Sequence, residues 1–206
     1  MINFYKVIKT NFLKLARAIR STLHSRECHH TAKVMMENPK IFNEIQRAWA
    51  VWVLCNQSFG SILGSTWRCD FKDKTSAKRI SRKRNDFTKV YAERMEEVQI
   101  ECRDALKVIE STDSTTTFFY CDPPYFNAHQ GHYKGYTEED FDKLLRLLST
   151  IKGKFLLSSY PSPLLEKYAK KYKWFTKKVE MPVSISLNSE GKQKIKTEVL
   201  TGNYEI

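Results

Sequence analysis

The residues whose types are best suited to binding or catalysis are the four of the motif Asp122-Pro123-Pro124-Tyr125. They follow the apolar, aromatic run 118–121, which is too short for a helix and predicts a buried strand. Each proline fixes φ and removes an amide donor, so the turn is stiff and the carbonyl groups of Asp122 and Pro123 stay free to accept hydrogen bonds. The motif therefore places a carboxylate, carbonyl oxygens and a flat ring at the carboxyl end of a strand, where open α/β sheets bind ligands.

Two acceptors beside one aromatic ring suit a planar heterocycle that carries an amino group. The two N–H bonds of the amine can donate to the carboxylate and to a carbonyl, while the heterocycle stacks on Tyr125. A nucleobase inside a duplex cannot reach such groups, so it must first be rotated out of the stack. A rigid turn with an exposed aspartate is the alternative explanation of the same four residues.

The chain is strongly basic. Its 206 residues include 35 lysines and arginines against 23 aspartates and glutamates, which gives a net charge of +12 and a pI of about 9.4. This charge favours a polyanionic partner. A membrane surface would attract it too, but the sequence has no run of 18 apolar residues and no signal-peptide pattern. We therefore expect a soluble, cytoplasmic protein with no membrane partner.

The cysteines favour a reducing compartment, because they are odd in number and form no C-x-x-C pair. A cysteine followed by two histidines at 28–30 is the one arrangement that suggests a metal, but a single cluster is weak evidence for zinc, and we expect no metal site. The five cysteines are Cys28, Cys55, Cys69, Cys102 and Cys121.

The most basic stretch is 68–89, which has little apolar periodicity and is predicted to be a loop. A duplex phosphate backbone is a natural partner for such a loop. A solvated, charged surface is the alternative. The candidate DNA-binding residues are Arg68, Lys78, Arg79, Arg82, Lys83 and Arg84.

Hydrophobic spacing predicts the remaining elements, and 41% hydrophobic residues suffice for a sizeable core in one domain with a small helical part appended. Amphipathic helices are expected over 3–20 and 41–59, a loop with at most one short helix over 21–40, and a helix from 86 to 97. Further on we expect a strand over 98–102, a loop over 126–136, a helix from 137, a strand over 154–159, a short helix from 162 and a hairpin over 174–206 with its turn at 188–191.

The motif at 122–125 resembles the catalytic motif of the amino-directed DNA methyltransferases. The order of elements around it resembles the catalytic half of the S-adenosylmethionine-dependent methyltransferase fold. Segments 155–159 and 198–204 resemble strands of the Dam-like DNA adenine methyltransferases, which insert a helical, basic target-recognition region ahead of an acidic strand. The resemblance implies an α/β fold, a partial Rossmann-like sheet with a C-terminal β-hairpin. It implies a helical start of the catalytic domain (1–40), a target-recognition region (41–89) and a catalytic half (90–206).

The same resemblance implies methyl transfer from S-adenosylmethionine to the N6 amine of adenine in double-stranded DNA, in a short specific sequence, as in restriction-modification. The family roles map onto Asp122, Pro123, Pro124 and Tyr125 as catalytic residues. They map onto Asp104, Cys121 and Asp122 as cofactor contacts. For Asp104 the competing role is that of a helix N-cap. Cytosine carries a similar amine, but enzymes that act on it more often begin the motif with serine.

One departure concerns the cofactor. Dam-like enzymes begin with a Phe-x-Gly-Gly-Lys segment and a glycine-rich loop that hold the methionine end of S-adenosylmethionine, and none of the seven glycines here forms such a loop. We expect a second polypeptide or a second copy to complete this part. The alternative is a non-catalytic or split-enzyme DNA-binding subunit. Methylation of RNA or of protein glutamine is less favoured, because those relatives usually carry asparagine at the position of Asp122.

Overall fold

The computed structural model describes residues 1–70, 74–127, 135–187 and 193–206. The fold is α/β, with eight α-helices and a mixed four-stranded sheet in the described ranges. The chain divides into two compact units, Met1–Ile100 and Glu101–Ile206. The division into a catalytic start, a target-recognition region and a catalytic half remains a prediction.

Unit 1 is helical, as the apolar spacing of its longest segments predicted. Helix α1 (Ile2–Arg20) buries Val7, Leu15 and Ile19 in a core that helices α2 (Arg26–Glu37) and α3 (Glu44–Gln57) also line. Helix α3 begins at a capping box, in which the side chains of Asn43 and Gln46 accept each other's backbone N–H at 3.0 Å. The helices of this unit are α1 (Ile2–Arg20), α2 (Arg26–Glu37), α3 (Glu44–Gln57), α4 (Thr75–Asn85) and α5 (Val90–Arg94).

Two helices of unit 1 lie where the sequence predicted mostly loop. Helix α2 has 12 residues, because Ser25 caps its first turn and Ala32 is buried in the core. Helix α4 occupies the basic stretch, because Ile80 is buried in the same core and the carboxylate of Asp70 accepts the N–H of Ser76 at 2.8 Å. Both helices bury few residues and expose many polar ones, so their sequences show no clear helical repeat of apolar residues.

The strand predicted over 98–102 is wrong, because residues 98–102 belong to no strand and pair with no other strand among the described residues. Ile100, Glu101 and Cys102 are exposed instead. A short alternating segment becomes a strand only when a neighbour takes up its backbone hydrogen bonds.

Unit 2 contains the sheet, whose strand order is β1-β2-β4-β3. Strands β1 and β2 are parallel, and the other two pairs are antiparallel, so β3 and β4 form the predicted hairpin. The predicted turn at 188–191 lies outside the described residues. The elements of this unit are α6 (Ala105–Thr112), β1 (Phe118–Cys121), α7 (Glu138–Leu148), β2 (Lys154–Ser159), α8 (Pro163–Tyr172), β3 (Phe175–Leu187) and β4 (Gln193–Gly202).

Strand β1 is less buried than the sequence predicted. Phe119 and Cys121 pack into a core with residues of α6, α7 and α8, whereas Phe118 and Tyr120 point to the other face and are 53% and 59% exposed. Within the described ranges β1 has only one neighbouring strand, β2, and its other edge is open. The described helices of unit 2 therefore bury one face of this strand, and the prediction of a fully buried strand is wrong.

Unit 1 is expected to lose stability as the pH falls from 7.5 to 5.5. His29 is 4% exposed, with Nε2 2.9 Å from Ser58 Oγ, and burial together with Lys33 and Arg26 lowers its pKa. Since the unfolded chain then binds a proton near pH 6.5 while the folded unit does not, acidification favours unfolding. Urea unfolding at the two pH values measures the effect. A His29→Gln variant should show a weaker pH dependence, and an unchanged dependence would contradict this origin.

Candidate active site

The Asp122–Tyr125 turn lies at the carboxyl end of β1, beside the carboxyl end of the parallel strand β2. The register pairs Cys121 with Leu157, so the next residues of the two chain segments, Asp122 after β1 and Ser158 within β2, lie side by side. Within the described ranges, the carbonyl oxygens of Asp122 and Pro123 accept no hydrogen bond. The Asp122 side chain is exposed. The turn therefore presents a carboxylate and two carbonyl oxygens that are open to a ligand.

Tyr125 is half-buried, and its hydroxyl lies between two oxygens. Its OH is 2.8 Å from Ser158 Oγ and 3.4 Å from Asp122 Oδ1. Burial is the main cause that raises the pKa of Tyr125 to about 12, with smaller contributions from the charges of Glu198 and Asp122, whereas the hydrogen bond with Ser158 acts in the opposite direction. The phenol is therefore neutral at physiological pH, and its ring can act as a stacking surface.

The turn is anchored on the side that follows Tyr125. The ring of Phe126 packs 5.3 Å from that of Phe141 in α7, and Asn127 Nδ2 donates to the carbonyl oxygen of Pro161 at 3.1 Å. Both contacts fix the residues that follow the motif to other segments of unit 2. The loop predicted over 126–136 continues into residues 128–134, which lie outside the described residues.

Ser158 and Tyr160 contact Tyr125, and the ion pair of Lys196 and Glu198 lies beside Tyr160. None of these four residues was predicted from the sequence to belong to the site. Ser158 is the last residue but one of β2, and the ring of Tyr160 lies 4.5 Å from that of Tyr125 at an angle of 56°. On β4, Lys196 Nζ is 2.6 Å from Glu198 Oε1 and 5.9 Å from the centre of the Tyr160 ring. The one available signal was the pair of serines, 158–159, at the end of β2. The other three neighbours depend on strand pairing.

The candidate cofactor residues lie in unit 2 with the motif. Asp104 is the N-cap of α6, since its Oδ1 accepts the N–H groups of Leu106 and Lys107 at 3.1 and 3.2 Å. Its Oδ2 accepts no hydrogen bond from any described residue and is open to a ligand. Burial raises the pKa of Cys121 to about 11, so the half-buried thiol is neutral and contributes packing rather than charge. No cluster of His, Cys, Asp or Glu in the described ranges could hold a metal ion.

The six candidate DNA-binding residues all lie in unit 1, and the structure separates them into two groups. Two are used within the unit itself, because Arg79 donates to Ser61 Oγ at 2.9 Å and Arg84 donates to the carbonyl oxygen of Thr22 at 2.8 Å. The other four take no part in these two hydrogen bonds, and they are half-buried or exposed. The half-buried residue is Arg68, and the exposed ones are Lys78, Arg82 and Lys83, all on α4.

The charge of the chain is concentrated in the same unit. Residues 1–100 contain 19 of the 35 basic residues and 9 of the 23 acidic ones, which gives a net charge of +10, whereas residues 101–206 have 16 against 14 and a net charge of +2. An even spread would have given each half about the same value. Unit 1 is therefore the part of the molecule that attracts a polyanion most strongly.

Comparison with known proteins identifies the family of the chain. A family model described as D12 class N6 adenine-specific DNA methyltransferase matches residues 1–183 of the chain. The search of curated proteins found no match to the chain.

No helix within the described ranges is both long and apolar enough to cross a membrane.

Proposed function

Because the chain belongs to the D12 class of N6 adenine-specific DNA methyltransferases, we propose that Asp122, Pro123 and Tyr125 bind an extruded adenine and direct methylation to its N6 atom. The family implies S-adenosylmethionine as the methyl donor and DNA as the substrate. The observation that carries the assignment is the turn itself, in which a carboxylate and free carbonyl oxygens lie beside a half-buried, neutral tyrosine ring. Pro124 contributes by keeping this turn rigid.

The acceptors act on the electrons of the amine. The lone pair of an exocyclic amine is delocalised into the ring, which makes the nitrogen a weak nucleophile. Hydrogen bonds from the amine to the Asp122 carboxylate and the Pro123 carbonyl strengthen as positive charge develops on the nitrogen, so they stabilise the transition state more than the ground state. When bound, S-adenosylmethionine supplies an electrophilic methyl group. The methylated nitrogen releases one proton, which the exposed Asp122 carboxylate can accept and pass to solvent.

Tyr125 contributes position. An adenine stacked on its ring is held in the plane that the acceptors need, and such orientation replaces part of the entropy cost of reaching the transition state. The hydroxyl remains protonated at physiological pH. The proposal therefore assigns charge stabilisation to Asp122 and orientation to Tyr125.

The cofactor site is proposed to include Asp104, Cys121 and Asp122. The open Oδ2 of Asp104 fits one hydrogen bond from the adenosine part of S-adenosylmethionine, and the neutral Cys121 fits an uncharged wall. The described residues contain no glycine-rich loop for the methionine end. We therefore propose that a second polypeptide or a second copy contributes to this site, with a DNA-binding subunit of a split enzyme as the alternative function.

The DNA contact is proposed to run along α4. Lys78 and Arg82 are one helical turn apart, so they lie on the same side of the helix, and both are exposed. Together with Lys83 they can bind phosphate groups, whereas Arg79 and Arg84 stabilise the unit through their bonds to Ser61 and Thr22. The recognition of a short specific sequence is part of the same proposal.

Incubation of the protein with unmethylated plasmid DNA and S-adenosylmethionine is expected to produce N6-methyladenine, measured by mass spectrometry of the digested nucleosides. Methylated cytosine should not form. A parallel calorimetric titration with S-adenosylmethionine tests the cofactor site: binding that requires a second polypeptide supports a split enzyme, and binding by the isolated chain contradicts it. Methylated cytosine in place of N6-methyladenine, or no methylation while cofactor and DNA both bind, would contradict the proposed function.

A further inference from the structure

Tyr125 is held by contacts that the methylation chemistry does not itself require. Its hydroxyl is 2.8 Å from Ser158 Oγ, an ordinary hydrogen bond, but 3.4 Å from Asp122 Oδ1, near the limit of one. Ser158 is only 4% exposed and lies on β2, so its position is fixed by the sheet. The phenol therefore has a partner other than the carboxylate that the amine needs.

We propose that Ser158 is a positioning residue that keeps the Tyr125 hydroxyl away from Asp122, and that the Lys196–Glu198 ion pair supports the same ring through Tyr160. This inference rests on the proposed role of Asp122 and Tyr125 in binding adenine. Without Ser158, the phenol has Asp122 as its remaining partner among the described residues. A phenol that donates to the carboxylate would compete with the amine for the same oxygen. It would also rotate the Tyr125 ring, on which the adenine is proposed to stack.

The support through Tyr160 follows from the register of the sheet. Ser158 pairs with Leu200, and alternate residues of a strand face the same side, so Glu198 and Lys196 project to the face of the sheet on which Ser158 lies. Tyr160 packs between Tyr125 and the Lys196 ammonium group. The side chains of Lys196 and Glu198 are 34% and 14% exposed, so the pair is partly shielded from water. The ion pair thus limits the movement of Tyr160, and Tyr160 limits that of Tyr125.

The chain offers a matched control in the adjacent residue. Ser159 is 3% exposed, faces the opposite side of β2, and its Oγ has no hydrogen-bond partner among the described residues. A serine-to-alanine change at either position removes the same atom from a similarly buried place. The two variants differ only in whether that atom bonds to Tyr125.

We expect Ser158→Ala to lower the single-turnover methylation rate by about 10- to 100-fold, the scale of a small misplacement of a reacting group, while the Kd for DNA stays within about threefold. Ser159→Ala should keep the wild-type rate, and Ser158→Thr, which restores a hydroxyl, should recover most of it. Glu198→Gln should lower the rate less than Ser158→Ala, because it acts through two further side chains. Thermal unfolding of each variant checks that the fold is intact.

A spectroscopic readout separates this inference from the proposed function. With 3-fluorotyrosine incorporated at position 125, the ¹⁹F resonance should shift in Ser158→Ala and stay in place in Ser159→Ala, whether or not the protein is active. If the resonance shifts in Ser158→Ala but neither the wild-type protein nor any variant methylates DNA while cofactor and DNA both bind, the contact is supported and the proposed function is overturned. Equal spectra for the two alanine variants, or a Ser158→Ala rate equal to that of Ser159→Ala, would overturn the positioning role.

Discussion

Replacement of Asp122 by alanine is expected to lower the rate of adenine methylation by a factor of at least roughly 10² to 10³, the cost of removing one group that stabilises transition-state charge. The side chain is exposed, and its one described hydrogen bond, to Tyr125, is 3.4 Å long, so the fold should tolerate the change. Transfer of a radiolabelled methyl group to duplex DNA in single-turnover conditions measures the rate.

The size of the loss should depend on what replaces the carboxylate. Asp122→Asn keeps one carbonyl oxygen that can accept a hydrogen bond but removes the negative charge, so it should retain more activity than Asp122→Ala. Glu110→Ala removes an exposed carboxylate from α6, away from the turn, and should leave the rate unchanged. Equal activity of Asp122→Ala and the wild-type protein would refute the assignment of the active site.

A double replacement of Lys78 and Arg82 by alanine is expected to weaken DNA binding by about 10- to 100-fold at low salt, since in the proposed contact each group binds one phosphate through a charge-assisted hydrogen bond. The logarithm of the binding constant should also fall less steeply with the logarithm of salt concentration. Because the double variant no longer neutralises two phosphates, the slope should change by about 1.8. Fluorescence anisotropy of a labelled duplex over a range of salt concentrations measures both quantities.

Helix α8 of unit 2 provides the control for this experiment. Lys167 and Lys171 are exposed and have the same four-residue spacing as Lys78 and Arg82, so their double replacement by alanine removes the same charge from the whole chain. This control should bind DNA almost as the wild-type protein does. If both double variants lose affinity equally, net charge rather than a surface on α4 governs binding, and the proposed contact is wrong.

The elements that the sequence predicted well are those in which burial and periodicity agree. Helix α1 buries Ile8, Leu15 and Ile19, which are seven and four residues apart, and this helical spacing can be read without a structure. Helix α4 could not be found in this way, because its burial rests on Ser76 and Ile80 within a run of cations. The segment 98–102 failed for the opposite reason, since alternation indicates a strand only where a neighbouring strand is present.

In the candidate site, too, the sequence predicted what depends on local residues and missed what depends on strand pairing. The position of the Asp122–Tyr125 turn after β1 followed from the residue types, because prolines and a short apolar run constrain the local backbone. Ser158 and Tyr160 come to lie beside Tyr125 through the pairing of β2 with β1, and Glu198 joins this group through the pairing of β2 with β4. Both pairings join segments far apart in the sequence. Long-range register of this kind has no local signal in a single chain.

The open edge of β1 affects how all these measurements have to be made. Unpaired N–H and C=O groups along an edge are a template for another strand, and no described strand pairs with this edge, which lies beside the exposed rings of Phe118 and Tyr120. Docking of any strand there would occur next to the motif, because β1 leads directly into Asp122. Rates and affinities of variants are therefore comparable only at one protein concentration, and a dilution series belongs in each experiment.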